Sequence, residues 1–96
     1  MLFAIICTDR PDALELRLST RPAHLEHLNR HLAQLRLCGP LLTDGKPTGS
    51  LIVLEAESLA DAEKFAAADP YAIAGLFSDS RVQPYRVVFE NGERAA

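Results

Sequence analysis

Two uninterrupted apolar runs constrain the fold of this chain more than any other feature. Residues Leu2–Thr8 (LFAIICT) and Ser50–Ala56 (SLIVLEA) have strand length, and apolar side chains run through them with little alternation. Such runs are typical of strands that are covered on both faces in the middle of a sheet. Two further strand-like segments, Leu37–Thr43 and Arg81–Phe89, each contain a proline. Because proline cannot donate to a strand ladder, these two segments are predicted to be edge strands.

A first helix is predicted between the first two strands. It is expected to begin near Thr20–Pro22, because proline is favoured in a first turn, and to end near Arg36, before a Gly-Pro pair. Residues 9–19 are then a polar connection that opens with turn residues. Along the helix, leucines recur at helical spacing and form one apolar stripe: Leu25, Leu28, Leu32 and Leu35.

A second helix is predicted after the third strand. Ser58 is its expected N-cap, and Asp61 stands three residues later, in a capping-box position. The helix is expected to stop before Asp69-Pro70, because the residue before proline is disfavoured in the helical region. Residues 70–75 are predicted to form one further helical turn.

The order of elements is therefore β-α-β-β-α-β, which indicates an α+β protein. With the apolar strands in the middle and the proline-containing strands at the edges, the sheet order is 4-1-3-2. This is the ferredoxin-like split βαβ arrangement, an antiparallel sheet with helices on one face. The first helix is expected to supply a right-handed crossover that lets the first and third strands lie parallel. Residues 1–89 are predicted to be one domain, and residues 90–96 a solvated C-terminal tail.

One face of this sheet is left open. Two helices cover only the opposite face, yet the two central strands are apolar on both. A chain of 96 residues also buries only about 60–70% of its unfolded surface by itself. A second copy, packed sheet against sheet about a two-fold axis, is the economical cover, and we therefore predict a homodimer.

Composition argues against several classes of partner. The net charge is −3 and no basic run is present, which argues against nucleic acid. The longest apolar runs are far short of the ~20 residues that span a bilayer, so no membrane partner is predicted. Without a signal-peptide pattern, the expected location is the cytoplasm. In that reducing compartment, Cys7 and Cys38 are predicted to be buried thiols, with disulfide or redox pairing as the alternative.

All three histidines of the chain, His24, His27 and His31, lie within eight positions. Spacings of three and four place their side chains on one flank of a helix. A metal site is one interpretation, since neutral imidazole is a common ligand. However, no carboxylate or cysteine motif completes a ligand set, and HExxH is absent. The alternative makes His27 and His31 partly exposed residues beside the leucine stripe, and we predict neither a metal nor a cofactor.

His24 is predicted to differ from the other two by its position in the first turn. There the helix dipole favours the neutral imidazole, the form that accepts a proton as a general base. Asp69 is the candidate partner, because a carboxylate can orient such a base and stabilise its charged form. Both residues also have a purely structural interpretation, and for Asp69 it is the N-cap of the following short helix.

Four further residues are weaker candidates for substrate binding. Arg17 and Arg21 flank the approach to the first helix and are suited to clamp an anionic group, although both fit ordinary solvated arginines as well. Ser50, at the start of the third strand, is placed to donate into a cleft or to be a plain strand residue. Tyr71 either lines the pocket beside Asp69 or simply packs.

Three segments, residues 1–28, 37–77 and 82–89, together resemble the YCII-related family in the order and spacing of their motifs. The resemblance implies a ferredoxin-like domain of the dimeric α+β barrel group, with an active site of one histidine and one aspartate. The family histidine falls in an R-P-x-H element, here ending at His24. The family aspartate falls in a D-P element, here beginning at Asp69. One branch of the family is associated with dehydrochlorination of a chlorinated hydroxyquinol, a base-assisted elimination.

Two functions remain open from the sequence. The first is a small enzyme in which His24 and Asp69 carry out general acid/base chemistry, of lyase or hydrolase type, on a small polar or phenolic/anionic substrate. The alternative is a dimeric ligand-binding or interaction module that keeps the pocket without chemistry.

Overall fold

The computed structural model describes the whole chain, residues 1–96, as six strands and three α-helices. The strands are β1 (Leu2–Asp9), β2 (Leu35–Thr43), β3 (Lys46–Glu55), β4 (Phe77–Tyr85), β5 (Phe89–Glu90) and β6 (Glu93–Arg94). The helices are α1 (Leu14–Asn29), α2 (Leu59–Ala68) and α3 (Pro70–Ile73), and a 3-10 turn covers Leu32–Gln34. No helix is long and apolar enough to cross a membrane.

The four longer strands form a sheet in the order β2-β3-β1-β4. This confirms the predicted order, with the strands of the two apolar runs in the middle and the strands that contain Pro40 and Pro84 at the edges. Every neighbouring pair is antiparallel, including β1 with β3. The expectation that these two strands lie parallel is wrong, because the crossover through α1 joins β1 to β2. The β2–β3 hairpin then returns β3 into the space between them. The architecture is the ferredoxin-like α+β fold.

Helix α1 begins at Leu14, and the predicted start near Thr20–Pro22 is wrong. The segment LELRLS, which precedes that point, is rich in the good helix formers Leu, Glu and Arg. Pro22 therefore stands inside the helix, where its missing N–H costs one backbone hydrogen bond. The residues assigned to a polar connection are mostly helical, and Arg17 is among them.

The end of α1 also differs from the prediction. The helix stops at Asn29 and not near Arg36, and the 3-10 turn then leads into β2. Strand β2 starts at Leu35, which pairs with Leu54 of β3. Leu35, which helical spacing alone assigns to the helix, therefore lies in the sheet.

The second half of the helical layer agrees with the prediction. The side chain of Ser58 accepts a hydrogen bond from the backbone N–H of Asp61 at 3.1 Å and caps α2. Helix α2 ends at Ala68, and α3 follows directly after Asp69. Two short helices thus meet at this aspartate.

The hydrophobic core lies between the sheet and the helices. Its buried members come from β1, β3 and all but the shortest helix: Phe3, Ile5, Cys7, Leu28, Ile52, Leu54, Ala62 and Phe65, with Ala56 beside them. Of the predicted leucine stripe only Leu28 is buried, and Leu25 and Leu32 are exposed.

The C-terminal end departs from the prediction in two ways. The last long strand is Phe77–Tyr85 and not Arg81–Phe89. The predicted tail, residues 90–96, is exposed, but part of it pairs with Phe89 in the small β5–β6 hairpin. Asn91 and Gly92 form its turn, both with φ in the left-handed region that an Asn-Gly hairpin requires.

Candidate active site

His24 and Asp69 lie against each other although 45 residues separate them in the sequence. The Nδ1 atom of His24 is 2.8 Å from Oδ1 of Asp69 and 3.0 Å from Oδ2. Both side chains are buried, with exposed fractions of 8% and 5%. Helix α1 packs against α3, and this contact brings the middle of α1 to the residue that precedes α3. The structure thus brings together the two residues that the sequence paired.

Asp69 also caps α3, because its Oδ1 accepts the backbone N–H of Tyr71 at 2.9 Å. The predicted N-cap is therefore confirmed, and the same carboxylate makes the contact with His24. A carboxylate can only accept hydrogen bonds, so the proton between the two residues belongs to Nδ1 of His24. In the neutral ring, Nε2 then carries the free lone pair.

The position of His24 corrects one expectation. The helix dipole acts in the first turn, and His24 lies ten positions after the start of α1, well past that turn. The contact with Asp69 sets the tautomer instead. Nε2 of His24 makes no hydrogen bond within the chain, and His24 lines a pocket.

Tyr71 packs directly on this histidine. The two rings are stacked, with centroids 4.0 Å apart and planes 20° apart. Tyr71 is buried, and burial raises the pKa of its phenol above the ordinary value, partly offset by the charge of Arg17. Its phenol therefore stays protonated at neutral pH, and its ring holds the imidazole plane in place.

Arg17 is the centre of a buried polar network and not a solvated surface residue. Its Nε and Nη2 atoms donate to both carboxylate oxygens of Asp9, at 2.7 and 3.0 Å. Nη2 also donates to the carbonyl of Gly49 at 2.9 Å and to the Ser50 hydroxyl at 2.8 Å. Its guanidinium lies 4.6 Å from the centroid of the Tyr71 ring. Burial lowers the pKa of Arg17, but the hydrogen bond and charge of Asp9 outweigh it and leave the pKa above its usual value.

Asp9 is the residue that sequence reasoning missed. It stands at the end of β1, where its side chain is only 5% exposed. The one available signal was a charged residue at the end of an apolar strand, followed by an arginine within a helix-forming segment. Gly49 is part of the same arrangement, since a Cβ there would collide with the carbonyl oxygen of Cys7.

A pocket of about 270 Å³ opens between α1 and the β2–β3 side of the sheet. Five of the six predicted site residues line it: Arg17, Arg21, His24, Ser50 and Tyr71. The sixth, Asp69, is absent from the lining and holds His24 through Nδ1. The remaining lining residues are mostly apolar: Leu18, Leu25, Leu28, Cys38, Gly39, Pro40 and Pro47.

The other histidines do not extend this site. His27 is buried, contrary to the prediction, and packs against the ring of Phe65, with centroids 4.6 Å apart. Its Nε2 atom is buried without a hydrogen-bond partner. His31 follows α1 and its Nδ1 contacts the carbonyl of His27 at 2.9 Å. No group of three or more His, Cys, Asp or Glu side chains is arranged to hold a metal ion.

The two cysteines also differ from each other. Cys7 is buried, as predicted, and its thiol lies 3.4 Å from the Ser80 hydroxyl. Cys38 is exposed, so its prediction as a buried thiol is wrong. It is exposed because β2 is an edge strand, and it lines the pocket because it pairs with Ile52, which points to the helical face of the sheet.

Comparison with known proteins places this chain in a family. The model of the YCII-related domain matches residues 1–86. Protein YciI of Escherichia coli O6:H1 is 40% identical over 98 aligned residues, which cover 93% of this chain and all of that protein. An uncharacterized protein of Haemophilus influenzae is 37% identical over the same shares of both chains.

Solved structures agree with these matches. The 5-chloro-2-hydroxyhydroquinone dehydrochlorinase of Burkholderia phenoliruptrix, in complex with 2,5-dihydroxybenzoquinone, superposes with a TM-score of 0.86 at 36% identity. The match covers 90% of this chain and 94% of the dehydrochlorinase. An antibiotic biosynthesis monooxygenase, with a TM-score of 0.55 at 16% identity over 92% of this chain and 99% of its own, shares the fold alone.

Proposed function

This chain belongs to the YCII-related family, and from that premise we propose that it is an enzyme that uses His24 for general acid/base catalysis. The substrate is small and polar, phenolic or anionic, and the reaction is of the lyase or hydrolase type. The observation that carries this proposal is the 2.8 Å contact of Asp69 with Nδ1 of His24. It leaves Nε2 of a buried, oriented imidazole free at the wall of a pocket.

The chemistry follows from this orientation. Nε2 of His24 accepts a proton from the substrate, and the electron pair left behind expels a leaving group from the neighbouring carbon. Asp69 stabilises the imidazolium that forms, as in other pairs of base and orienting carboxylate. The proton then passes to the leaving group or to water, and the residue returns to its starting state. The substrate loses a proton and a leaving group that carries its electron pair, so the reaction needs no oxidant or reductant.

The dehydrochlorinase supports the lyase form of this proposal. It acts on a chlorinated hydroxyhydroquinone, and removal of hydrogen chloride needs only a base and a departing chloride. At 36% identity over 90% of this chain, the similarity makes halogenated phenols the first substrates to examine.

We further propose that the protein works as a cytoplasmic homodimer. The support is the open apolar sheet face, together with the dimeric α+β barrel group that the resemblance to the family implies. The pocket lies on the opposite face of the sheet, between the sheet and α1, so dimerisation through the open face leaves the site accessible.

A substrate screen tests the catalytic proposal. Halogenated hydroquinones and small phenolic acids are incubated with the wild type, with His24→Ala and with His31→Ala, a histidine that lies outside the pocket. We expect turnover by the wild type and by His31→Ala, and a loss of at least ~100-fold in His24→Ala. Turnover that survives in His24→Ala contradicts the proposal. Compounds that bind with no turnover in any variant identify a ligand-binding module instead.

A further inference from the structure

The pocket beside His24 has an unbalanced charge. Its twelve lining residues include two arginines and a histidine but no aspartate or glutamate, although the whole chain has a net charge of −3. Asp69 contacts His24 but does not line the pocket. A concave site with one sign of charge raises the local concentration of ligands of the opposite sign.

The charge of Arg17 is already balanced within the chain. Its Nε and Nη2 donors bind Asp9, Gly49 and Ser50, and Asp9 balances its charge. Removing Asp9 from the side chain of Arg17 to admit a substrate anion would leave a buried carboxylate without a cation. Arg17 therefore joins β1, through Asp9, to Gly49 and Ser50 of β3, and the charge of the lining that no carboxylate balances is that of Arg21.

Arg21 is in the opposite situation. It lies one helical turn after Arg17, is exposed, and forms no ion pair with any carboxylate of the chain. It stands three residues before His24, a spacing that puts the two side chains on one face of α1. Its planar guanidinium is suited to bind a carboxylate or a phenolate with two parallel hydrogen bonds.

The remaining wall sets the size of the ligand. Leucines from α1 and prolines from the β2–β3 hairpin give an apolar surface beside the charged groups. A volume of about 270 Å³ is slightly below the range of ~300–1,000 Å³ that is usual for drug-sized ligands. One ring with its substituents fits this space.

We propose that the pocket selects a single-ring organic anion, and that Arg21 is the residue that determines this specificity. The anionic oxygens bind the Arg21 guanidinium, the ring lies on the apolar wall, and the exchangeable proton faces Nε2 of His24. This inference deepens the proposed function and relies on it for the role of His24. The preference for an anion depends only on Arg21 and the lining of the pocket.

Binding measurements by calorimetry test the inference. The probe is 2,5-dihydroxybenzoquinone, which is anionic at neutral pH, and resorcinol serves as a neutral ring of similar size. We expect Arg21→Gln to weaken binding of the quinone about five- to tenfold at low ionic strength. Arg21→Lys restores part of the loss, and the effect of Arg21→Gln shrinks at ~1 M salt. Binding of resorcinol stays unchanged.

The matched control is Arg30→Gln, an exposed arginine that follows the same helix outside this pocket. Quinone binding by Arg21→Gln that equals the wild type overturns the inference, as does an equal loss for the quinone and resorcinol. His24→Asn removes the proposed base but keeps Arg21 and the lining. Its binding of the quinone therefore tests this inference separately from the proposed function. If the anion binds through Arg21 and the wild type turns over nothing in the screen, the catalytic proposal fails and the anion preference stands. If the wild type turns over a substrate in the screen but Arg21→Gln binds the quinone as tightly as the wild type, the anion preference fails and the catalytic proposal stands.

Discussion

At the scale of single residues, Asp69 shows how one side chain serves both the fold and the site. Its Oδ1 caps α3 by accepting the N–H of Tyr71, and the same carboxylate contacts Nδ1 of His24. Because the cap fixes the carboxylate and the stacked Tyr71 ring fixes the imidazole plane, the orientation of His24 follows from the local structure of α3.

Asp69→Asn separates these two roles. Asparagine caps a helix about as well as aspartate, so the fold is retained. Its amide gives His24 an alternative partner and removes the negative charge, so we expect Nδ1 to lose its fixed proton. Activity on a substrate from the screen falls by about 10²–10⁴-fold. Nitrogen-15 NMR of the imidazole reads the tautomer directly, with Asp79→Asn on the edge strand as the control. An unchanged tautomer in Asp69→Asn contradicts the orienting role.

His27 carries a second prediction at this scale. Its burial, partly opposed by the charge of Asp69, lowers its pKa, and its Nε2 has no partner. The folded protein therefore keeps His27 neutral, while the unfolded chain takes up a proton below its ordinary pKa of about 6.5. The stability that this difference contributes is complete above that pH and is lost as the pH falls below it.

His27→Leu removes the group that titrates. We expect the free energy of unfolding of this variant to fall less between about pH 7.5 and about pH 5.5 than that of the wild type. Urea unfolding at the two pH values measures the difference. Equal losses in the two proteins would show that His27 does not contribute to the acid sensitivity.

At the scale of elements, helix α1 decides how much of the site could be predicted. The R-P-x-H and D-P elements are local, and the caps of α2 and α3 follow from single residues, so the pairing of His24 with Asp69 was within reach of the sequence. The start of α1 was not within reach, because proline is typical of a first helical turn but Pro22 lies inside the helix. With that start misplaced, Arg17 became part of a connection. Its burial depends on Asp9, Gly49 and Ser50, which only the folded sheet brings together.

The Arg17–Asp9 pair should be important for the stability of this element. Both side chains are about 5% exposed, so Arg17→Met leaves the Asp9 carboxylate buried without a cation, at an expected cost of about 3–5 kcal/mol. Asp9→Asn combined with Arg17→Met costs less than the two single changes together. Chemical denaturation measures all three variants.

Arg36→Met provides the matched control for this pair. Arg36 binds Glu90 with both side chains more than 40% exposed, and such pairs contribute about 1 kcal/mol or less. Similar losses in Arg36→Met and Arg17→Met would show that the buried network contributes no more than an ordinary surface ion pair.

At the scale of the whole molecule, the open sheet face is the surface that the helices leave uncovered. Residues that pair across the strands alternate between faces, and Ser50 and Cys7 point toward α1 and the core. Their neighbours Ile6 and Leu51 therefore point away from the helices. Leu37, Leu41 and Tyr85 extend this open face and are 40–59% exposed in the single chain.

A second copy on this face is the assembly that we predict. A standard interface buries about 800 Å² on each partner, roughly an eighth of the 6294 Å² surface of the chain. We expect a dimer at micromolar concentration by sedimentation velocity. Leu41→Glu places a charge in the interface and yields monomer with an unchanged circular dichroism spectrum. Ile73→Glu, at a site 74% exposed on α3 in the helical layer, leaves the dimer intact. A wild type that sediments as a monomer, or a dimer that tolerates Leu41→Glu as well as Ile73→Glu, rules out assembly through the open face.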